Sequence, residues 1–395
     1  MNGKPDVVAD VVILGGGIAG LWLLDSLRAA GYSAVLLEAG ELGSGQTIAS
    51  QGIIHGGTKY TLGLALDSAV RELRGVPAVW RASLRGEAGP DLRPVTVLSE
   101  RTCMWLPRQF GGRILDLFSR LMMRSRVRKL PRSDWPQPLQ AAGARGVVLA
   151  LDEFVLDMPS LAAAFPMAHG DRIRRIPEAD TIRFHEGGGL IEAGPITLRA
   201  QRVIFAAGAG NEALMARAGI EGVPCQRRPL HQVMIRGMSQ PLYAHCIGKR
   251  TRPLATVTSH PAPGGGYIWY VGGLIAEDGV TENEEQLIAR SRRELPLLFP
   301  GADFSAATWA TVRVDRAEGG SAGGRRPGGP TVRTSGKFVV AWPTKLALAP
   351  RLAQRIVQTI RDQGVRPAAS DVDALRSLEE PAIARPPWEE VERWS

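Results

Sequence analysis

Apolar and polar positions change period twice within the first forty residues. Between Asp10 and Glu38 the chain reads DVVILGGGIAGLWLLDSLRAAGYSAVLLE. An apolar run gives way to a glycine-rich turn, then to apolar positions at helical spacing, then to a second apolar run that stops on an acid. The pattern predicts strand, helix and strand, one βαβ unit. Further strands are read at HQVMIRG from His231 and YIWYVGGLIA from Tyr267. Near the end, KFVVAWPTKLALAPRLAQRI predicts a strand from Lys337 to Trp342 that turns at Pro343 and Thr344 into a helix, with Lys345 at the helix N-terminus. Residues 113–132, RILDLFSRLMMRSRVRKLPR, set Ile114, Leu117, Phe118, Leu121 and Met122 at helical spacing before a basic half. They predict an amphipathic helix, packed on the protein or lying as a lid or against a membrane surface. The Gly- and Arg-rich stretch 317–330 has neither period and reads as a mobile loop, and the Pro-rich end from Pro381, with Trp388 and Trp394, as a docked or disordered tail.

The turn of the βαβ unit is Gly15-x-Gly17-x-x-Gly20. Gly15 permits a tight exit from the strand, Gly17 lets backbone approach a pyrophosphate, and Gly20 brings the helix close to the sheet. The amides at Ile18 and Ala19 then face the negative charge at a helix N-terminus. Glu38, followed by Ala39, ends the second strand where an acid accepts ribose hydroxyls. Leu24 departs from the usual pattern, because a small residue commonly packs there.

Composition narrows the class. With 395 residues and 44% hydrophobic content the chain is long enough for two domains of a soluble globular protein. No run reaches the length of a membrane span and no signal-peptide order is present, so a cytoplasmic location is expected, peripheral at the inner face of a membrane if 113–132 makes a surface contact. Cys103, Cys225 and Cys246 are far apart and in no metal spacing, which argues against a disulfide framework or a metal site. The net charge of +9 comes with only six lysines among 48 basic residues. The arginines are spread along the chain without interleaved aromatics, so no stable nucleic-acid partner is expected.

The twenty residues after the βαβ unit choose the cofactor. They contain Gly43-x-Gly45, Ser50-Gln51-Gly52 and His55-Gly56-Gly57, and resemble the FAD-dependent oxidoreductases of the D-amino-acid oxidase type, which include glycine, sarcosine and hydroxyglutarate oxidases and, more distantly, flavin-linked glycerol-3-phosphate dehydrogenases. LDMPSLAAAF from Leu156 and ITLRAQRVIFAAGAGNEAL from Ile196 are similar to that family's Asp-Pro helix start and its second nucleotide-contacting turn. The resemblance implies non-covalent FAD held by Gly15, Gly17, Ile18, Ala19, Gly20, Glu38, Ala39, Gly45, Gln46, Ser50, Gln51, Gly52, Ile53, Ala207, Gly208, Lys345 and Leu346. The implied fold is α/β, a Rossmann-type FAD-binding domain (1–58, 155–222, 310–365) interleaved with a mixed, mostly antiparallel substrate domain (59–154, 223–309) and followed by a tail (366–395).

Chemistry in such a fold is hydride removal from a carbon bearing nitrogen or oxygen. It calls for cations to hold an acidic substrate, a group to take its heteroatom proton, and positive charge near the flavin. Lys345 is the candidate for the last. Likeness to the glycerol-3-phosphate dehydrogenases places Lys59, Tyr60, His231 and Arg313 around the substrate; His231 or His55 is the candidate for base or polarising partner. The expected substrate is a small hydroxy acid, amino acid or polyol phosphate, with oxygen or a quinone as electron acceptor. A secondary-amine oxidase, a flavin-dependent RNA-modifying protein and a flavoprotein without catalysis stand as alternatives.

Overall fold

The computed structural model describes residues 6–57, 68–108, 127–141, 144–176, 179–248 and 252–395. Two eight-stranded sheets and one three-stranded sheet organise them. In the first, strand Asp6–Leu14 lies between Ala34–Glu38 and Ile196–Phe205, parallel to both, with Ile173–Arg175 and Phe338–Trp342 continuing outwards on either side. Val7, Val11, Val12, Ile13 and Leu14 are all buried, as expected of a strand covered on both faces. Helix Ile18–Ala29 is apolar nearly all round because it too is covered: it packs on the sheet and against helices Met158–His169 and Ala349–Asp362. Leu24 is fully buried there, so this position takes a large side chain within the core.

Met158–His169 starts as its sequence implies, with the Asp157 carboxylate accepting the Ser160 amide at 2.9 Å and a proline in the first turn. Ala349–Asp362 buries Leu352, Ala353, Ile356, Val357 and Ile360, a stripe of helical period.

The second sheet runs in the order Thr308–Gly319, Cys225–Met238, Tyr267–Gly272, Pro253–Pro261, Ala244–Ile247, Thr102–Pro107, Gly146–Leu151, Arg128–Lys129. All neighbours are antiparallel except Ala244–Ile247 with Thr102–Pro107. One of its faces is covered by helix Glu284–Leu298, which begins with an Asn283–Gln286 capping box.

Three expectations change. Strand Thr308–Gly319, placed in the nucleotide-binding half by a boundary at 310, pairs with Cys225–Met238 from Cys225↔Gly319 to Arg236↔Thr308, so the chain changes sheet only after Gly319. His231 lies within that 14-residue strand rather than at its start, because pairing begins at Cys225. Of the predicted helix 113–132, residues 113–126 fall outside the described residues. The rest is not helical: Arg128–Lys129 pairs with Leu149 and Ala150, and Pro131 leads into a short 3-10 turn. No helix among the described residues is long and apolar enough to cross a membrane.

The stretch 317–330 contains a 3-10 turn at Ala322–Gly324, and Arg326 donates to the Thr344 carbonyl at 3.0 Å. The tail is docked. Asp371 exchanges backbone bonds with Val8, residues 382 and 384 bracket Leu42, Trp388 packs on the second sheet, and Ser395 exchanges bonds with Trp309.

Candidate active site

Because Leu14 is level with both Leu37 and Phe205 in register, the chain leaves the first sheet at Gly15 directly beside the turn at Ala206–Ala207. Gly15 has φ +116°, and a Cβ there would lie 2.6 Å from the Ala207 backbone. A Cβ on Gly20 would lie 2.0 Å from the Gly15 carbonyl oxygen. Both glycines are therefore required by close packing of strand, turn and helix. Gly17 caps the helix in an extended conformation and has only Thr47 Oγ1 near a would-be Cβ, at 3.2 Å. The helix N-terminus is consequently open at Gly17. Thr47 Oγ1 also accepts the Ile18 amide at 3.1 Å, a link that spacing alone did not reveal. Ala19 is buried.

Glu38 accepts from Gly16 at 2.5 Å and Gly40 at 2.7 Å, so its carboxylate is fixed at the mouth of the turn beside Ala39. The second turn is held by Asn211, fully buried, which accepts the Ala207 amide at 2.8 Å and donates to the Ala341 carbonyl at 3.1 Å. Gly208 takes φ +56° and its carbonyl accepts the Trp342 indole at 3.0 Å.

Loop 42–57 then joins the two sheets. Gly45 is in the left-handed region with nothing near a would-be Cβ, and Gln46 Oε1 accepts the Ala317 amide of the second sheet at 3.1 Å. Ser50 Oγ accepts the Gly52 amide, and Gly52, at φ +67°, runs against strand Phe154–Leu156, so near that a Cβ would lie 2.1 Å from the Leu156 carbonyl oxygen. Ile53 pairs with Val155. Gln51 is the main link across: its Nε2 donates to the carbonyls of Thr256 at 2.8 Å and Tyr270 at 2.9 Å.

Gln51 fits there because Gly272 has no side chain. A Cβ at Gly272 would lie 2.6 Å from Gln51 Oε1. Thr256 is the register partner of Gly272, and His245 that of Thr256. Their side chains therefore emerge on the same face, towards Gln51. Tyr270 lies buried at this junction with its hydroxyl 2.9 Å from the Ala49 carbonyl and 2.8 Å from Gln232 Oε1; burial pushes its phenol up, so it is a neutral donor. Farther along, His260 is 2% exposed under the Trp388 ring, at 4.1 Å between centroids. Burial pushes its imidazole down to about 3, and its Nδ1 has no hydrogen-bond partner.

The remaining predicted residues divide. His55 is buried just past strand Ile53–Ile54. Lys345, 8% exposed, follows Thr344, which is in the left-handed region at φ +62°, and opens the 3-10 turn Leu346–Leu348; helix Ala349–Asp362 begins only after that turn. A non-glycine residue in that region stores strain next to a candidate cation. Lys59 and Tyr60 lie outside the described residues. His231 and Arg313 are register partners turned to the other face of the sheet. His231 Nδ1 is 3.1 Å from the Gly279 carbonyl and Nε2 is 2.8 Å from Thr311 Oγ1, while Arg313 donates to the carbonyls of Val280 at 2.9 Å and Glu282 at 2.5 Å. Burial, helped by the Arg313 charge, keeps His231 below the usual imidazole range. The structure therefore does not bring these two together with Gln51.

An open helix N-terminus beside two close glycine turns, with a partly buried loop tying it to an antiparallel wall, defines a two-sheet flavoprotein of the oxidoreductase type. A family model described as FAD dependent oxidoreductase (DAO) matches residues 10–371, and the chain belongs to that family. It is 44% identical over 383 residues to the probable FAD-dependent oxidoreductase PA4991 of Pseudomonas aeruginosa, covering 96% of this chain and 97% of that one. The crystal structure of PA4991 superposes with a TM-score of 0.84 over 98% of both chains. Glycine oxidase from Geobacillus kaustophilus (19% identical, TM-score 0.62, 96% and 99% covered) and L-α-glycerophosphate oxidase from Mycoplasma pneumoniae (13%, 0.64, 90% and 95%) share the fold. The cofactor is FAD. The cradle fits it: a Cβ would meet only Thr47 Oγ1 at Gly17 and nothing at Gly45, so the chain is open at both places, where a pyrophosphate would need the room.

Proposed function

We propose that the enzyme removes a hydride from a carbon bearing nitrogen or oxygen in a small polar, acidic substrate: a hydroxy acid, an amino acid or a polyol phosphate. The observation that carries this reading is the partly buried junction of Gln51 with Thr256, Gly272 and Tyr270, which sets neutral hydrogen-bonding groups beside the cofactor loop. Such a wall suits a compact polar substrate and excludes water from a developing charge. FAD, when bound, supplies the hydride acceptor; the protein holds it non-covalently through the two glycine turns and Glu38, and oxygen or a quinone reoxidises it. Lys345, with Leu346 behind it, supplies positive charge to the reduced ring.

Arg313 is committed to carbonyls on the far face, so capture of an acidic group falls to Lys59 and Tyr60. If that capture is absent, a secondary amine becomes the better substrate. The fold serves proteins named for either bond type, glycine oxidase and glycerophosphate oxidase. Two measurements test the proposal. Acid precipitation should release yellow FAD, and colour kept in the pellet would refute non-covalent binding. Anaerobic addition of glycine, sarcosine, L-proline, D-alanine, 2-hydroxyglutarate and glycerol 3-phosphate should bleach the flavin with at least one compound; a flavin that none of them bleaches would overturn the substrate class.

A further inference from the structure

The face of the second sheet that meets Gln51 contains a buried acid and histidine that no glycine motif or candidate site includes. Glu153, in the turn between strands Gly146–Leu151 and Phe154–Leu156, and His245, in Ala244–Ile247, have no exposed side-chain surface. His245 Nε2 is 3.2 Å from Glu153 Oε2, and Thr102 donates to the same oxygen at 3.3 Å. The other ring nitrogen, Nδ1, is 2.9 Å from Thr256 Oγ1. Thr256 is the residue whose carbonyl receives Gln51, and its side chain emerges on Gln51's side of the sheet. Acid, imidazole and hydroxyl thus form a line that runs from the interior of the second sheet to the cofactor loop. Burying an ionisable pair costs free energy that apolar packing of the same volume would not. The pair has a geometry that can use that cost, since a ring oriented by a carboxylate on one nitrogen accepts a proton on the other.

We propose that Glu153, His245 and Thr256 form the proton-accepting relay of the reaction, a reading that rests on the substrate class above. The substrate's O–H or N–H proton passes to Thr256 Oγ1 as the hydroxyl's own proton moves to His245 Nδ1. The imidazolium so formed faces the Glu153 carboxylate, while the substrate's C–H bond breaks with its electron pair leaving as a hydride, for which FAD, when bound, would be the acceptor. Charge balances: the substrate becomes a carbonyl or imine, and one proton resides on His245 until the site reopens. Thr256 is the group that meets the substrate; His245 and Glu153 act through it and are positioning residues.

The relay requires His245 to have its resting proton on Nε2, leaving Nδ1 to accept. 15N NMR of the FAD-loaded enzyme with labelled histidine reads this directly, using His245→Asn to assign the signal. Whichever panel compound bleaches the flavin is then used for the rates. Thr256→Val should slow anaerobic bleaching on the order of 10²–10⁴-fold, with FAD content, thermal midpoint and flavin potential kept. Thr256→Ser should restore most of the rate, and Glu153→Gln should lower kcat more than it raises KM. A proton found on Nδ1 overturns the relay whatever the panel does, because the Thr256 hydroxyl then has no acceptor. Wild-type bleaching by a well-folded Thr256→Val enzyme overturns it too. Silence of the whole panel refutes the substrate class separately, with the tautomer still deciding the relay.

Discussion

The two large sheets hold their chemistry in different materials. In the first, the candidate cofactor site is built of backbone: Gly15 and Gly20 matter for the atoms they lack, which would strike Ala207 and the Gly15 carbonyl, and Gly17 leaves the helix N-terminus open. In the second, the candidate site is built of side chains on one face, Thr256, His245, Tyr270 and His260, with a single glycine, Gly272, making room for Gln51. The first kind of site is damaged by adding atoms and the second by removing them. Within the second sheet the same contrast recurs between faces. His231 and Arg313 bond to carbonyls within residues 279–282 on the helix-covered side, while His245 is hydrogen-bonded to a hydroxyl that leads towards the cofactor loop.

Adding one methyl group to the first site should have the largest effect. Gly15→Ala forces a side chain into φ +116° and onto the Ala207 backbone at 2.6 Å, which on general grounds costs on the order of 3 kcal/mol in strain alone. The protein should emerge without FAD absorbance, and a yellow Gly15→Ala protein would show that the turn relaxes. Next comes removal of the cation at the junction. Lys345→Met should retain FAD but slow its reduction by roughly 10–1,000-fold, and an unchanged rate would mean that Lys345 points away from the ring. Gly272→Ala should follow: displacing the Gln51 amide breaks two hydrogen bonds, for a loss of about 1–3 kcal/mol. A lowered thermal midpoint with an altered flavin spectrum is the expected readout.

The far face should answer with stability alone. His231→Asn and Arg313→Ala are expected to cost about 1–2 kcal/mol each and to leave the rate of flavin bleaching unchanged. A selective loss of substrate affinity in Arg313→Ala would restore Arg313 to the site.

Acid sensitivity gives the mildest test. His260 stays neutral in the fold down to about pH 3, whereas in the unfolded chain it takes a proton near its ordinary value of 6.5. Between these limits the unfolded state binds the additional proton, so stability falls as pH drops through the window. His260→Phe keeps a ring under Trp388 and removes the proton. Its thermal midpoint should decline less between pH 6.5 and 4 than that of the parent.

These differences explain what the sequence makes legible. A backbone site needs glycines at fixed intervals, so Gly15, Gly17, Gly20, Gly45 and Gly52 stand out in the chain, as does Glu38 at the end of its strand. A side-chain site on a strand shows only alternation. His231 and His245 both sit in apolar strands, and nothing local states which face of the sheet will be covered by helix Glu284–Leu298. Arg313 followed His231 to the wrong face because the two are register partners. Glu153, forty-nine residues beyond Met104 and ninety-two before His245, reaches its histidine only through the sheet order. Thr47 and Asn211 went unnoticed because each caps a turn from a distance. Gln51 was selected by its motif, but the gap that receives it belongs to Gly272.

The tail has a consequence for how cofactor loss would be felt. Its residues 382 and 384 bracket Leu42, at the start of the cofactor loop, and its Trp388 covers His260 on the second sheet. A segment anchored at both places shares its opening equilibrium with whatever steadies that loop, so ligand occupancy and tail release are thermodynamically linked. Protease nicking between Pro381 and Trp394 would then act as a gauge of saturation: each rise in free FAD should lengthen the survival of the tail, although the nucleotide need never touch it.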